Sequence, residues 1–187
     1  MARNLNHSYL NFFRGFLRNP KQNASVWPSS RRASRAMFDG IEWDELEYVV
    51  ELGPGTGRFT EQMHAFLPLG CKVLVIELNP TFIPKLSERF GDRFEIIEGS
   101  ADKFEALINE RGWPRIDLIV SGLPFTLPEP VKTNLFNAIL RQTKKNTRYR
   151  WFTYFPRLME PHYQDFDFEK VRTVYWNIPP LSVYRVN

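Results

Sequence analysis

The stretch Tyr48-Val49-Val50-Glu51-Leu52-Gly53-Pro54-Gly55-Thr56-Gly57 narrows the folds open to this chain more than any other. An apolar run ends in an acid and breaks into three alternating glycines. The residues that follow, Arg58 to Leu67, put Phe59, Met63 and Phe66-Leu67 on one helical face. The pattern predicts a strand, a tight turn and a helix. Glycine lets the backbone turn sharply and lets a ligand lie directly against it. The plain alternative is an ordinary βα turn in a parallel sheet, since one Gly-x-Gly carries little information by itself.

Two details sharpen the reading. A dinucleotide fingerprint started at Gly53 needs its third glycine at position 58, where this chain has Arg58. The third glycine is instead Gly57, in the order E-x-G-x-G-x-G. A second apolar run, Lys72-Val73-Leu74-Val75-Ile76-Glu77, ends in an acid 20 residues after Gly57. A carboxylate at the end of the second strand suits a bidentate grip on two ribose hydroxyls. The stretch resembles the first motif of class I S-adenosylmethionine-dependent methyltransferases, over roughly residues 45–125. That resemblance implies S-adenosylmethionine as cofactor. It places Glu51, Gly53, Gly55, Thr56 and Gly57 along the methyl donor, and Glu77 with Leu78 at its ribose.

With 187 residues the chain fits one domain and can bury a substantial core. Its single cysteine, Cys71, excludes an internal disulfide and a cysteine-built zinc site; beside a predicted strand it reads as a small packed residue. His7, His64 and His162 show no metal-ligand spacing, so no metal is expected. No apolar run of about 18 residues exists to span a bilayer, and no signal peptide is evident. A protein of a reducing compartment is expected.

The charge is unevenly placed. Residues 1–40 hold Arg3, Arg14, Arg18, Lys21, Arg31, Arg32 and Arg35 against Asp39 alone, a net +6, which leaves −2 elsewhere in a chain of net +4. A second basic stretch, Lys132 to Arg157, has no acid between Glu129 and Glu160. Each run taken singly is compatible with a solvated face. The asymmetry points to an anionic partner, lipid headgroups or nucleic acid. Within the first stretch, Leu5, Tyr9, Leu10, Phe12, Phe13, Phe16 and Leu17 share one helical face, and Arg14 and Arg18 lie off it. This describes an interfacial membrane helix over 5–18; a helix packed on the core is the alternative. Asn19-Pro20 ends it, and Ser29 or Ser30 caps a second helix.

Phe12-Phe13-Arg14, Leu17-Arg18-Asn19-Pro20 and Pro28-Ser29-Ser30-Arg31, followed by the glycine motif, resemble the bacterial phospholipid N-methyltransferases. So do Ser121-Gly122-Leu123-Pro124 and the ending Val174-Tyr175-Trp176-Asn177-Ile178-Pro179-Pro180. The resemblance thins at 156–168, which is unusually aromatic. It implies that the leading helix attaches the protein to the inner face of the cytoplasmic membrane, and that Ser30 and Arg31 sit near the cofactor's carboxylate. It also implies that the turn after the third strand holds the adenine, with Ser100, Ala101 and Asp102 as candidates; Asp102 as a mere helix cap is the alternative.

Pro124-Phe125 also resembles the ribosomal-RNA adenine dimethyltransferases, but only in outline. Their polar residue two places before the proline is here Gly122, which has no side chain to hold a base amine.

The fold implied is α/β: a class I methyltransferase, Rossmann-like three-layer sandwich, with a mainly parallel seven-stranded sheet, an antiparallel last strand and an amphipathic helix in front. Residues 1–40 would form membrane-facing helices and 41–187 the S-adenosylmethionine-binding domain. The expected function is methyl transfer to the amine of phosphatidylethanolamine and its methylated intermediates at an anionic membrane surface, by a monomer. An RNA adenine N6-methyltransferase is the alternative. Tyr154 and Ser121 are the candidates for orienting the acceptor amine, and the faces of Tyr9, Trp27, Phe125 and Tyr154 for holding a methylated cation. Exchanging Phe13 and Phe16 for Ser is expected to release the protein from sedimenting liposomes; continued co-sedimentation would count against an interfacial helix at 5–18.

Overall fold

The structure, a computed structural model, describes residues 29–123, 127–176 and 179–186, with 29–31 as backbone only. The expected leading helix at 5–18, Tyr9, Trp27 and Phe125, and the side chains of Ser30 and Arg31, lie outside the described residues.

Among the described residues, each apolar run becomes a strand and each segment of helical period a helix. The described elements are α1 (Ser29–Met37), β1 (Tyr48–Leu52), α2 (Arg58–Phe66), β2 (Lys72–Glu77), α3 (Ile83–Phe90), β3 (Glu95–Glu98) and α4 (Phe104–Glu110). There follow β4 (Leu118–Ser121), α5 (Val131–Thr143), β5 (Arg148–Thr153), α6 (Pro156–Met159), β6 (Glu169–Val174) and β7 (Leu181–Val186). They form a seven-stranded sheet in the order β3-β2-β1-β4-β5-β7-β6. Strands β1 to β5 pair in parallel, and β7 runs antiparallel between β5 and β6. The pairing of β6 with β7 slips at a bulge between Lys170 and Arg172.

Alternate residues of the buried strands feed two apolar layers. Val49, Val73, Val75, Leu118 and Val120 face the side covered by Met37, Phe59, Met63 and Leu86. Val50, Leu52, Leu74, Ile76 and Ile119 face the side of Phe104, Ile108, Leu135 and Ile139. Residues 33–38, counted by the sequence within the membrane-facing segment 1–40, are part of this core: Ala33, Ser34, Ala36, Met37 and Phe38 are buried, and α1 packs on β6, β7 and α2.

Two helices have their starts fixed by a local side chain. Asn79 Oδ1 accepts the backbone N–H and the hydroxyl of Thr81, so residues 79–82 form a turn and α3 begins at Ile83. Glu129, just before α5, accepts the N–H and hydroxyl of Thr133 in that helix's first turn. Phe66, expected inside, is 56% exposed and stacks on Trp43. The inward row on α2 steps by four, from Phe59 through Met63 to Leu67, and leaves Phe66 at its side.

The aromatic stretch 156–168 is packing material. Tyr163 stacks on Trp151 at 4.2 Å, and Trp151 lies against Tyr149 and Tyr184. The buried hydroxyls pair off: Tyr149 with Tyr163 at 2.9 Å, and Tyr184 donating to Glu160 at 2.6 Å. The short segment between β5 and β6 thereby closes the layer that a long crossover helix would cover. Trp151→Ala should lower stability by about 3–5 kcal/mol in urea unfolding, the cost of emptying a fully buried aromatic site.

Candidate active site

The register sets Ile97, Ile76, Leu52, Ser121 and Trp151 in one row across five strands. The next residues outward, Glu98, Glu77, Gly53, Gly122 and Phe152, form the rim of the sheet's carboxyl edge. Strand order reverses between β1 and β4, and at such a point the two flanking loops part and leave a crevice.

The loops after β1 and β4 interlock at the base of that crevice. A Cβ on Gly122 would stand 2.5 Å from the carbonyl oxygen of Gly53, and a Cβ on Gly53 would stand 2.6 Å from Leu123 Cδ2. Neither position tolerates a side chain. Gly122 is therefore a requirement of backbone approach, where the sequence showed only a missing polar group. Gly55 differs: its φ is +57°, and nothing lies within 4 Å of an added Cβ, so its backbone faces open space. Gly57, at φ +80°, packs against Leu86 and Phe90 of α3.

Two carboxyls stand behind the glycine turn. Glu77 Oε2 accepts the N–H of Gly55 at 3.0 Å, and Oε1 accepts that of Asn79 at 2.8 Å. The end of β2 is thus tied to the middle of the turn. Glu51 is 1% exposed; its Oε2 accepts the Thr60 hydroxyl at 2.6 Å, and its Oε1 has no hydrogen-bond partner among the described residues. Burial raises its pKa from 4.5 to about 8; the Thr60 hydrogen bond pulls it down and the Glu77 charge pushes it up. Arg89 donates to the Thr56 carbonyl at 3.1 Å and pins the exposed shoulder of the turn. Leu78 projects 67% exposed beside Glu77.

At the end of β3 the Ser100 hydroxyl donates to Asp102 Oδ1 at 2.5 Å, with Lys103 Nζ 3.3 Å from the other oxygen and Ala101 buried. Burial works against the Asp102 charge, but bonds from Ser100, Lys103 and Asn134 hold its carboxyl below the usual range. No side chain caps α4, so the capping role weighed for Asp102 is not the one it has.

Across β4, Ser121 is 3% exposed. Its hydroxyl accepts the Leu123 N–H at 3.3 Å and neighbours the Tyr149 hydroxyl. It braces the loop that interlocks with Gly53. Tyr154, just past β5, is half-buried and edge-on to Phe152 at 5.7 Å. The structure gathers Glu51, Gly53, Gly55, Thr56, Gly57, Glu77 and Leu78 at one crevice, with Ser100, Ala101 and Asp102 at the end of β3, two strands from β1. The sequence reading missed Thr60, Asn79, Arg89 and Leu123. Of these only Thr60 carried a signal, as a lone polar residue on an apolar helix face.

This plan, parallel strands reversing at β1 and β4, a glycine turn at the reversal and an acid closing β2, defines a class I S-adenosylmethionine-dependent methyltransferase, and the chain is one. Its fold matches Aeropyrum pernix fibrillarin solved with S-adenosyl-L-methionine, at TM-score 0.58 and 14% identity over 86% of this chain and 76% of that one. It also matches a precorrin-6y C5,15-methyltransferase of Geobacter metallireducens, at TM-score 0.59 and 11% identity over 83% and 85%.

The chain is 32% identical over 178 residues, 92% of each protein, to the ornithine lipid N-methyltransferase of Singulisphaera acidiphila. It belongs to that family of bacterial lipid N-methyltransferases. A probable ribosomal RNA small subunit methyltransferase A of Methanococcoides burtonii is 33% identical over 107 residues; the match covers 56% of this chain and 36% of that protein. No family model matches the chain.

Between pH 4.5 and 8 the unfolded Glu51 carboxyl releases its proton while the folded one keeps it, so stability falls as pH rises through that window. Thermal unfolding of the cofactor-free protein should show Tm dropping by at least about 2–4 °C between pH 5 and pH 8, and Glu51→Gln should flatten that slope. An unchanged slope in the variant would place the titration elsewhere.

Proposed function

We propose that this methyltransferase acts on the amine of a membrane-lipid headgroup: phosphatidylethanolamine with its mono- and dimethylated forms, or the amine of an ornithine lipid. The observation that carries this reading is the 32% identity to an ornithine lipid N-methyltransferase along 92% of both chains. The ribosomal RNA relatives match a shared core only, with this chain spanning about a third of the first one's length. Gly122 weighs against them too, because the Gly53 carbonyl occupies the space a base-holding side chain would need.

The crevice fits S-adenosylmethionine on two counts: the open space at Gly55, and the unfilled acceptor Glu51 Oε1 among the described residues. Residues 53–57 would lie along the donor, Glu77 would hold the ribose hydroxyls, and Ser100, Ala101 and Asp102 the adenine. Ser30 and Arg31 would hold the carboxylate. The cofactor supplies a methyl group made electrophilic by its sulfonium.

For the rest, this chain's residues position an amine. An ammonium has no lone pair, so the acceptor must shed a proton before it reacts. Tyr154 orients the nitrogen, and alignment supplies most of the rate gain. Ser121 acts through the Leu123 loop that it braces. No described helix is long and apolar enough to cross a membrane, which agrees with action from the inner surface of the cytoplasmic membrane.

The test uses purified protein, radiolabelled S-adenosylmethionine, and phosphatidylglycerol vesicles alone, with phosphatidylethanolamine, or with ornithine lipid, beside a structured RNA. Label should enter the lipid phase only where an amine headgroup is present, and Gly55→Ala should abolish it. Tyr154→Phe should lower turnover by about tenfold or more; unchanged turnover removes Tyr154 from the site. Label in the RNA arm alone would overturn the lipid reading.

A further inference from the structure

The turn joining β6 to β7 carries two large side chains that the domain does not use. Tyr175 is 76% exposed and Trp176 is 74% exposed. The other described tryptophans are buried or half-buried, at Trp151, Trp43 and Trp113. Because β6 and β5 both run antiparallel to β7, β6 ends at the same edge of the sheet as β5. The aromatic tip therefore stands on the edge that carries Gly53, Glu77 and Gly122, about two strand spacings from Tyr154. Arg32 of α1 holds its guanidinium 5.8 Å from the Trp176 ring centre.

Charge singles out the occupant. The described residues that meet here contain no acid: none in α1, Ser29–Met37, and none from Lys170 to Trp176. Arg32, Arg35 and Arg172 are all exposed. Tyrosine and tryptophan have an apolar body and a polar handle, and they settle at the headgroup level of a bilayer. An arginine over the ring keeps its charge among phosphates while its stem covers apolar surface.

We infer that the β6–β7 tip, Tyr175 and Trp176 with Arg32, is an interfacial contact that inserts into an anionic phospholipid layer and turns the carboxyl edge of the sheet toward it. The inference rests on the lipid reading of the site and adds a second contact, independent of residues 5–18. It gives the crevice a direction: the acceptor amine meets the rim from the bilayer side, with its acyl chains left in the membrane.

The experiment uses the full chain with vesicles of equal parts phosphatidylglycerol and phosphatidylcholine, against phosphatidylcholine alone. Tyr175→Ser combined with Trp176→Ser should lower co-sedimentation with the anionic vesicles about tenfold or more, with S-adenosylhomocysteine affinity unchanged as the check on folding. Arg32→Gln should lower it about fivefold, the usual worth of one surface cation near anionic lipid. Brominated acyl chains should quench the wild-type fluorescence more than that of Trp176→Phe, which reports insertion directly and does not depend on the double variant folding.

Equal sedimentation of wild type and double variant, or equal quenching with and without Trp176, overturns the proposal. So does a tip variant that converts a dimer to a monomer while vesicle binding persists, since the tip would then serve a second copy of the chain. Failure of the lipid reading shows separately, as unlabelled lipid from protein that still binds vesicles through the tip.

Discussion

Two loops share one place at the centre of this molecule. The carbonyl of Gly53 stands where a side chain on residue 122 would be, and Leu123 stands where a side chain on residue 53 would be. Everything at the crevice depends on that mutual approach. It sets how near the turn after β1 comes to β4, and so how much open space remains over Gly55. Ser121 holds the loop from beneath through the Leu123 N–H, and the hydroxyls of Tyr149 and Tyr163 back it from the core. The aromatic stack of β5, β7 and the segment after α6 is in this sense the foundation of the site.

The electrostatics follow from the same geometry. Burying an acid without a counter-charge favours its neutral form, and Glu51 stands in that condition beside a second carboxyl. Glu77 has two backbone N–H groups to satisfy its oxygens, those of Gly55 and Asn79. Two acids at the ends of neighbouring strands thus differ in setting: one faces a hydroxyl in the core and the other faces amide hydrogens at the rim. A turn whose backbone is restrained by Glu77, Arg89 and the packing of Gly57 presents a preformed surface, which spares a ligand part of the ordering cost of binding.

Much of this could be read in advance. The alternation of the glycines and Glu77 at the end of a second apolar run carried the resemblance that implied the sheet and its antiparallel last strand. The methyltransferase class and its cofactor came from the resemblance these residues carry. What stayed hidden depends on distance across the sheet. Gly122 looked like a lost functional group because the carbonyl that excludes a side chain lies 69 residues earlier in the chain. Thr60 and Glu51 meet across a strand and a helix, and no spacing rule pairs them. Ser121 is 3% exposed and its hydroxyl accepts the Leu123 N–H, a contact that no spacing in the sequence announces. In the sequence Trp176 counted only as part of a resemblance, and its exposure follows from a strand that ends two residues before it, at Val174.

The two outer strands have a further consequence. At one margin of the sheet Glu95 and Glu98 point their charges outward from β3; at the other, Glu169, Lys170 and Arg172 surround the bulge in β6. Charges and an irregular ladder discourage a foreign strand from adding on. Many copies could therefore crowd side by side without zipping their sheets together.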